Sequence, residues 1–237
     1  MDAFTAEELQ ALPLFASLTP GQCGQLLDRH LLSSHGTDQV LVIEQDWRGS
    51  VFLLTAGMAK VRTHTTDGDE VVLAVLGPGC IFGEMAALAD TARSADVVAL
   101  TPVRVLKLRE EPFEALLRSE AGFALALARL EAGRLRDLNK RFAIQESGAT
   151  TRLLNALAYL AQQSSAVGDP QAIVPALVQR ELGLLAGLAR ETASRTLTKL
   201  RSKGTVEEVE GGLRIADLEP LISRGLLSPK RVEAPAP

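Results

Sequence analysis

Phe82-Gly83-Glu84-Met85-Ala86-Ala87-Leu88, followed after a short gap by Ala92-Arg93-Ser94-Ala95, decides how this 237-residue chain is read. The stretch brings together a permanent cation, a carboxylate, a hydroxyl and a glycine. A phosphodiester held inside a protein needs that set. Arginine is the preferred cation because its planar fork grips two oxygens at once. Gly83 lets the backbone come close to a ligand, and a helical turn starting after it would aim free N–H groups at a phosphate. Glu84 can accept from a sugar hydroxyl, and Ser94 can donate to the phosphate. A Gly-Glu pair alone means nothing, and a lone arginine is usually a surface residue; the combination at a nine-residue step from Glu84 to Arg93 is specific.

Upstream and downstream of the cradle, from about Leu14 to Leu108, short apolar runs alternate with turn residues. Val40–Ile43, Val51–Leu54, Val71–Leu76 and Val103–Leu106 are strand-like, and Ala56-Gly57, Thr66-Asp67-Gly68-Asp69 and Gly77-Pro78-Gly79 separate them. Several short strands with Gly-centred turns predict a small antiparallel barrel or sandwich. Thr66–Asp69 is a hairpin signal.

From Glu111 to about Gln145 the pattern becomes helical, with no proline after Pro112. Ala124, Ala128, Leu135, Leu138 and Phe142 recur at helical spacing and form an apolar stripe. Glu131 and Gln145 interrupt it. The stripe fits two arrangements equally well: packing on the chain's own barrel, or a two-stranded seam with a second copy. Gly148-Ala149-Thr150-Thr151 breaks the helix and reads as a hinge.

Beyond the hinge the charge changes. Residues 1–147 carry 14 Lys+Arg against 20 Asp+Glu, whereas residues 148–237 carry 11 against 9. The overall net charge of −4 therefore hides a basic stripe of Arg190, Arg195, Lys199, Arg201 and Lys203, opposed only by Glu191. Such a stripe is the footprint of a DNA-binding element, although a basic run is often just a solvated helix face. Its context is more specific. Leu177–Leu200 reads as two helices around a tight turn, with Gly183 small where helices cross and Gly187 supplying the turn. Leu182, Ala186, Leu188, Ala193, Leu197 and Leu200 form the expected buried side. Arg190, Glu191, Ser194 and Arg195 project together from the start of the second helix. Val206–Ile215 then reads as a β-hairpin turning at Gly211-Gly212, and the tail after Ser228 is Pro/Ala-rich.

These motifs carry a resemblance. The 82–95 stretch, with the run from Asp67 to Gly79 leading into it, closely resembles the phosphate-binding cassette of cyclic-nucleotide-binding domains. Arg190-Glu191-Thr192-x-x-Arg195 and the hairpin after it resemble the recognition helix and wing of the cyclic-AMP receptor branch of the Crp/Fnr transcription regulators. The resemblance covers residues 14–108 and 150–216. It implies an α+β chain: a jelly-roll-like barrel over residues 1–115, a dimerisation helix over 116–147, and a winged helix-turn-helix over 148–237. It implies cyclic AMP, or another cyclic nucleotide, as effector, held by Gly83, Glu84, Met85, Arg93 and Ser94 with Arg134, Leu138 and Asn139 from the long helix. Asn139 can hydrogen-bond a purine edge and Leu138 cannot, where the family's adenine reader is a Thr-Ser pair. On DNA the resemblance points to Gln179, Arg190, Glu191, Thr192, Ser194, Arg195 and Lys199. Arg190 and Arg195 would read guanines and Glu191 cytosine, in TGTGA-like half-sites arranged as an inverted repeat; Thr192 and Lys199 would hold phosphates. Ala189 departs from the family pattern, which places a Ser or similar cap before that helix. The implied partners are double-stranded DNA, a second copy of the chain and RNA polymerase. Two other readings stand beside this one: a regulator of this type that needs no cyclic nucleotide or uses another effector, and a nucleotide-binding module without DNA binding.

Composition excludes other classes. Cys23 and Cys80 cannot supply the roughly four ligands of an iron–sulfur cluster. His30, His35 and His64 are isolated, so no haem or metal is expected, and no nucleophile–base pair suggests an enzyme. The acidic N-terminus and the absence of an apolar run of roughly 18 residues predict a cytoplasmic protein with no membrane partner.

Overall fold

The computed structural model describes residues 4–47, 49–165, 167–177 and 179–228. They form two compact units. One runs up to Thr63 and includes Leu76–Leu138; the other joins His64–Val75 to the residues from Asn139 onward.

The first unit begins with two short helices, α1 (Ala6–Gln10) and α2 (Pro20–Leu27). Each starts at a capping box: Thr5 with Glu8, and Thr19 with Gln22. In such a box the threonine hydroxyl and the third-position side chain satisfy each other's free backbone N–H groups. The strands follow as β1 (Leu31–His35), β2 (Val40–Val42), β3 (Ser50–Ala56), β4 (Ala59–His64), β5 (Glu70–Leu76), β6 (Ile81–Phe82), β7 (Asp96–Ala99) and β8 (Val103–Arg109), with α3 (Glu84–Ala89) between β6 and β7. They make two four-stranded sheets of order β1-β8-β3-β6 and β2-β7-β4-β5. The pairs β1–β8, β2–β7, β3–β6, β3–β8 and β4–β7 are antiparallel. The predicted Thr66–Asp69 turn does join β4 to β5, with the Thr65 N–H donating to the Asp69 carbonyl at 2.9 Å.

In the β1-β8-β3-β6 sheet, β3 and β8 bury residues on both faces, which explains their apolar runs. Leu54, Val103 and Val105 face the other sheet, in a cluster with Val42, Ala59, Leu76, Phe82, Val97 and Ala99. Val51, Leu53, Leu106 and Leu108 point the opposite way, into a second cluster with Leu9, Phe15, Leu18, Leu26, Phe113 and Phe123. A strand covered on one side alternates apolar and polar residues; one covered on both does not.

The helix expected from Glu111 to Gln145 is broken. α4 spans Glu110–Ser119 and α5 spans Ala121–Ala143, with Glu120 extended between them (φ −110°, ψ 93°). Core packing drives the break. Phe113 on α4 and Phe123 on α5 are both fully buried, their rings 5.3 Å apart edge to face, and Phe15 stacks on Phe123 at 5.6 Å. Aromatic pairs in these geometries add to the burial of apolar area.

The second unit contains α6 (Ala149–Ser164), β9 (Val174–Pro175), α7 (Gln179–Ala186), α8 (Arg190–Ser202), β10 (Val206–Val209), β11 (Gly212–Ile215) and α9 (Glu219–Ile222). α6 is the centre of its core, with Leu153, Leu154, Leu157, Leu160 and Ala161 buried. The three strands are ordered β10-β11-β9. The hairpin turn lies one residue earlier than expected, at Glu210-Gly211, because Gly212 pairs with Val209 and with Pro175. A side chain at Gly212 would place its Cβ 1.9 Å from the Val174 carbonyl oxygen. That glycine serves strand contact rather than the turn. The segment His64–Val75, which holds most of β5, also belongs to this unit: Glu70 pairs with Arg180 at 2.9 Å, and the Val75 N–H donates to the Tyr159 hydroxyl at 3.1 Å. Arg141 donates to the carbonyls of Val72 and Leu73.

Phe123→Ala removes the ring shared by α4, α5 and Phe15. The expected loss is about 3–5 kcal/mol of stability for the first unit, the usual range for a buried Phe truncated to Ala. Urea denaturation followed by far-ultraviolet circular dichroism measures it.

Candidate functional site

The cradle is built where β6 runs into α3. Gly83 holds φ at +81°, and a Cβ there would lie 2.5 Å from Arg93 Nη1 and 3.3 Å from the Phe52 ring. Only glycine lets the backbone pass this close to the guanidinium. Arg93 is 6% exposed. Its Nη1 donates to the Gly83 carbonyl at 2.5 Å and its Nη2 to the Ser50 carbonyl at 2.7 Å, while the Phe52 ring lies 5.7 Å from Cζ. Burial pulls the pKa of the guanidinium below its ordinary value, against Glu110, Asp46 and Glu84, which push it up.

Glu84 sits at the first position of α3 and is 2% exposed. Arg134 of α5 donates from Nη1 to Glu84 Oε1 at 2.5 Å and to Glu131 Oε1 at 2.9 Å, and from Nη2 to the Ile81 carbonyl. Burial works to lower the pKa of Arg134. Glu84, Glu131 and Cys80 outweigh it and hold the guanidinium above its usual value. Glu84 Oε2 is buried and has no hydrogen-bond partner among the described residues. A buried carboxylate oxygen left unpaired costs free energy unless a donor reaches it. A ligand hydroxyl is such a donor, so the residues present fit a ribose at this position.

The structure thus gathers Gly83, Glu84, Arg93 and Arg134. Ser94 and Met85 lie at its rim, both exposed, with Ser94 Oγ 4.0 Å from Met85 Sδ. Leu138 and Asn139 are exposed on α5. The residue of α5 joined to Glu84 through Arg134 is Glu131, which interrupts the apolar stripe. Its signal was present: an acid three positions before an arginine is a helical ion pair. Of that stripe, Leu135 is 58% exposed and Phe142 73%, so the described residues leave them uncovered. The covered face of α5 carries Phe123 and Leu127 instead.

In the second unit α7 and α8 are joined by Gly187 (φ +61°), whose carbonyl accepts from Arg152 at 2.8 Å. Gly183 packs tightly enough that a Cβ there would lie 2.8 Å from the Leu188 carbonyl oxygen. Leu182, Ala186, Ala193, Leu197 and Leu200 are buried as expected, and Leu188 is only half-buried. Thr196 joins the buried side by donating its hydroxyl to the Thr192 carbonyl at 2.7 Å. Arg190, Glu191, Ser194 and Arg195 line one open concavity at the start of α8. Lys199 is exposed one turn on, and Thr192 is half-buried. The Gln179 side chain lies outside the described residues. Ala189 stands at the N-cap of α8 and makes no side-chain cap hydrogen bond.

Comparison with known proteins agrees with both halves of this geometry. Residues 34–120 match the cyclic nucleotide-binding domain family, and residues 151–224 match the Crp-like helix-turn-helix domain family. The chain is 31% identical to the cyclic AMP receptor protein of Thermus thermophilus, over 88% of this chain and 94% of that protein. It is 25% identical to a CRP-like cAMP-activated global transcriptional regulator of Mycobacterium tuberculosis, over 73% of this chain and 79% of that protein. The solved structure of FixK2 from Bradyrhizobium japonicum shares its fold, with a TM-score of 0.67 at 18% identity, covering 88% of this chain and 99% of that one. Together, the cradle-bearing barrel and the winged helix-turn-helix make a DNA-binding transcription regulator rather than an enzyme. The chain belongs to the Crp/Fnr family.

Ala189→Ser supplies the missing cap to α8. Stability should rise by about 0.5–1 kcal/mol, within the range that N-caps contribute. A higher melting temperature of the C-terminal half checks this; an unchanged one means the Ser hydroxyl does not reach the free N–H groups of the first turn.

Proposed function

We propose that this chain acts as a homodimer in which cyclic AMP, bound in the cradle, controls binding to a TGTGA-like inverted repeat. The observation that carries the reading is the unpaired Glu84 Oε2 beside Arg134: a ribose hydroxyl would satisfy the carboxylate, and Arg134 belongs to the long helix. The exposed Leu135, Leu138 and Phe142 of α5 give the stripe a second copy would cover. Of the two arrangements of that stripe, this favours the seam between subunits. A two-fold dimer places two copies of α8 in successive major grooves, which is why the site is an inverted repeat. Arg190 and Arg195 are bidentate donors suited to guanine O6 and N7, and the Glu191 carboxylate suits the cytosine amino group.

In this reading the ligand is held by Gly83, Glu84, Met85, Arg93 and Ser94, with Arg134, Leu138 and Asn139 towards the base. Gln179, Thr192, Ser194 and Lys199 join the three base-reading residues on DNA. Residues 1–115, 116–147 and 148–237 act as sensor, dimer helix and reader. The ligand shifts the dimer towards its DNA-binding arrangement by its higher affinity for that state. RNA polymerase would be the next partner, in the cytoplasm; among the described residues no helix is long and apolar enough to cross a membrane.

A second reading, with another effector or none, rests on Leu138. Its side chain has no hydrogen-bonding group for a purine, and losing one such bond shifts selectivity by about 0.5–1.5 kcal/mol.

Fluorescence anisotropy of a labelled TGTGA inverted repeat against a scrambled control, at fixed salt, tests the proposal. Tight binding to the repeat only with cyclic AMP is the expected result. Equal binding with and without every cyclic nucleotide contradicts the switch. Arg93→Ala should abolish the response to the ligand. Arg190→Ala should weaken binding by about 1–3 kcal/mol and relax specificity at one base pair.

A further inference from the structure

Glu131 is the feature of the cradle that cyclic-nucleotide recognition leaves unexplained. It is half-buried on the cradle face of α5, and its carboxylate shares Arg134 Nη1 with that of Glu84, at 2.9 and 2.5 Å. Two carboxylates therefore lean on one guanidinium nitrogen. The charged and titratable groups around Glu131 are Arg134 on its own helix, Glu84 from α3, and Cys80, which acts on Arg134 from the turn before β6. Arg93 acts on Glu84 in turn.

Fully charged, Arg93 and Arg134 stand against four carboxylates, Glu84, Glu131, Glu110 and Asp46. A cyclic phosphodiester brings one further negative charge into a space where burial weakens solvent screening. Arg93 remains the phosphate's cation and Glu84 the acceptor for the ribose. Glu131 has no partner in the ligand and is the carboxylate whose neutralisation relieves the added negative charge.

We propose that Glu131 takes up a proton when a cyclic nucleotide binds, making it the residue that sets how ligand affinity depends on pH. The inference rests on the cyclic-nucleotide reading of the cradle. Burial, with Glu84 adding to it, already pushes the Glu131 carboxyl up to about 7 despite the opposing pull of Arg134. The proton therefore moves in the neutral range.

The sign follows from linkage. An anionic ligand raises the Glu131 pKa further, so the complex binds more protons than the free protein. Affinity is then fully developed below about 7 and falls as pH rises towards the higher pKa of the complex. Above that value it levels off. The slope in the window is up to tenfold per pH unit.

Isothermal titration of the full chain with cyclic AMP, in two buffers of different ionisation enthalpy, reads the proton directly. The expected result at neutral pH is uptake on the order of half a proton or more per ligand, with affinity lower at pH 8.5 than at pH 6.5. In Glu131→Gln, which keeps a hydrogen-bonding side chain of the same length, uptake and pH dependence should both vanish and affinity at pH 8.5 should rise. Binding by the parent chain with no proton uptake overturns the proposal while leaving the cyclic-nucleotide reading intact. Uptake that persists in Glu131→Gln places the proton elsewhere and overturns it too. Absence of heat with cyclic AMP and cyclic GMP alike, in both chains, overturns the underlying reading instead.

Discussion

The Arg134 guanidinium is the interaction on which the sensor half depends. It reaches from the long helix α5 to the Glu84 carboxylate at the start of α3 and to the Ile81 carbonyl at the strand before it. A charge-assisted contact of this kind, formed where solvent is largely excluded, is strong and costly to break on one side only. It fixes one Glu84 oxygen and leaves the other buried and unpaired. The cradle is thereby held short of one donor, and the element that holds it is the helix whose outer face carries the exposed apolar stripe.

The surrounding fold serves that contact. β6 pairs with β3, whose residues are buried on both faces, and this pairing places the backbone that leads to Gly83. The break at Glu120 lets α4 and α5 each contribute a phenylalanine to the same cluster. α5 is anchored by Phe123 and Leu127, and Glu131 and Arg134 follow on it one and two turns later. Binding residues on elements fixed in this way keep their geometry before a ligand arrives, which is the condition for specific recognition.

Much of this was legible in residues. The cradle is contiguous in sequence, and its chemistry is dictated by residue type at short spacing. The helix-turn-helix was legible for the same reason, since its glycines, buried leucines and basic face fall within one stretch. The two N-terminal helices were also written in the sequence, as the capping boxes at Thr5–Glu8 and Thr19–Gln22, but the apolar runs around them drew a strand-rich reading of everything from Leu14 onward. What local pattern could not supply was long-range contact. The break at Glu120 follows from a phenylalanine cluster assembled from three elements. The one-residue shift of the wing turn follows from β9, two residues long, pressing on Gly212. Glu131 read as an interruption of a stripe because its partner, Glu84, is 47 positions away in the chain.

In the proposed switch, the Arg134–Glu84 contact carries the state of the cradle to the long helix. Its most direct test is the ratio of affinities for the TGTGA inverted repeat with and without saturating cyclic AMP, compared between the parent chain and Arg134→Ala. Ligand binding is followed separately by calorimetry so that saturation is assured. The expected variant still takes up cyclic AMP through Arg93, but its ratio collapses towards one. A variant that binds the ligand and keeps the parent's full ratio would contradict the switch.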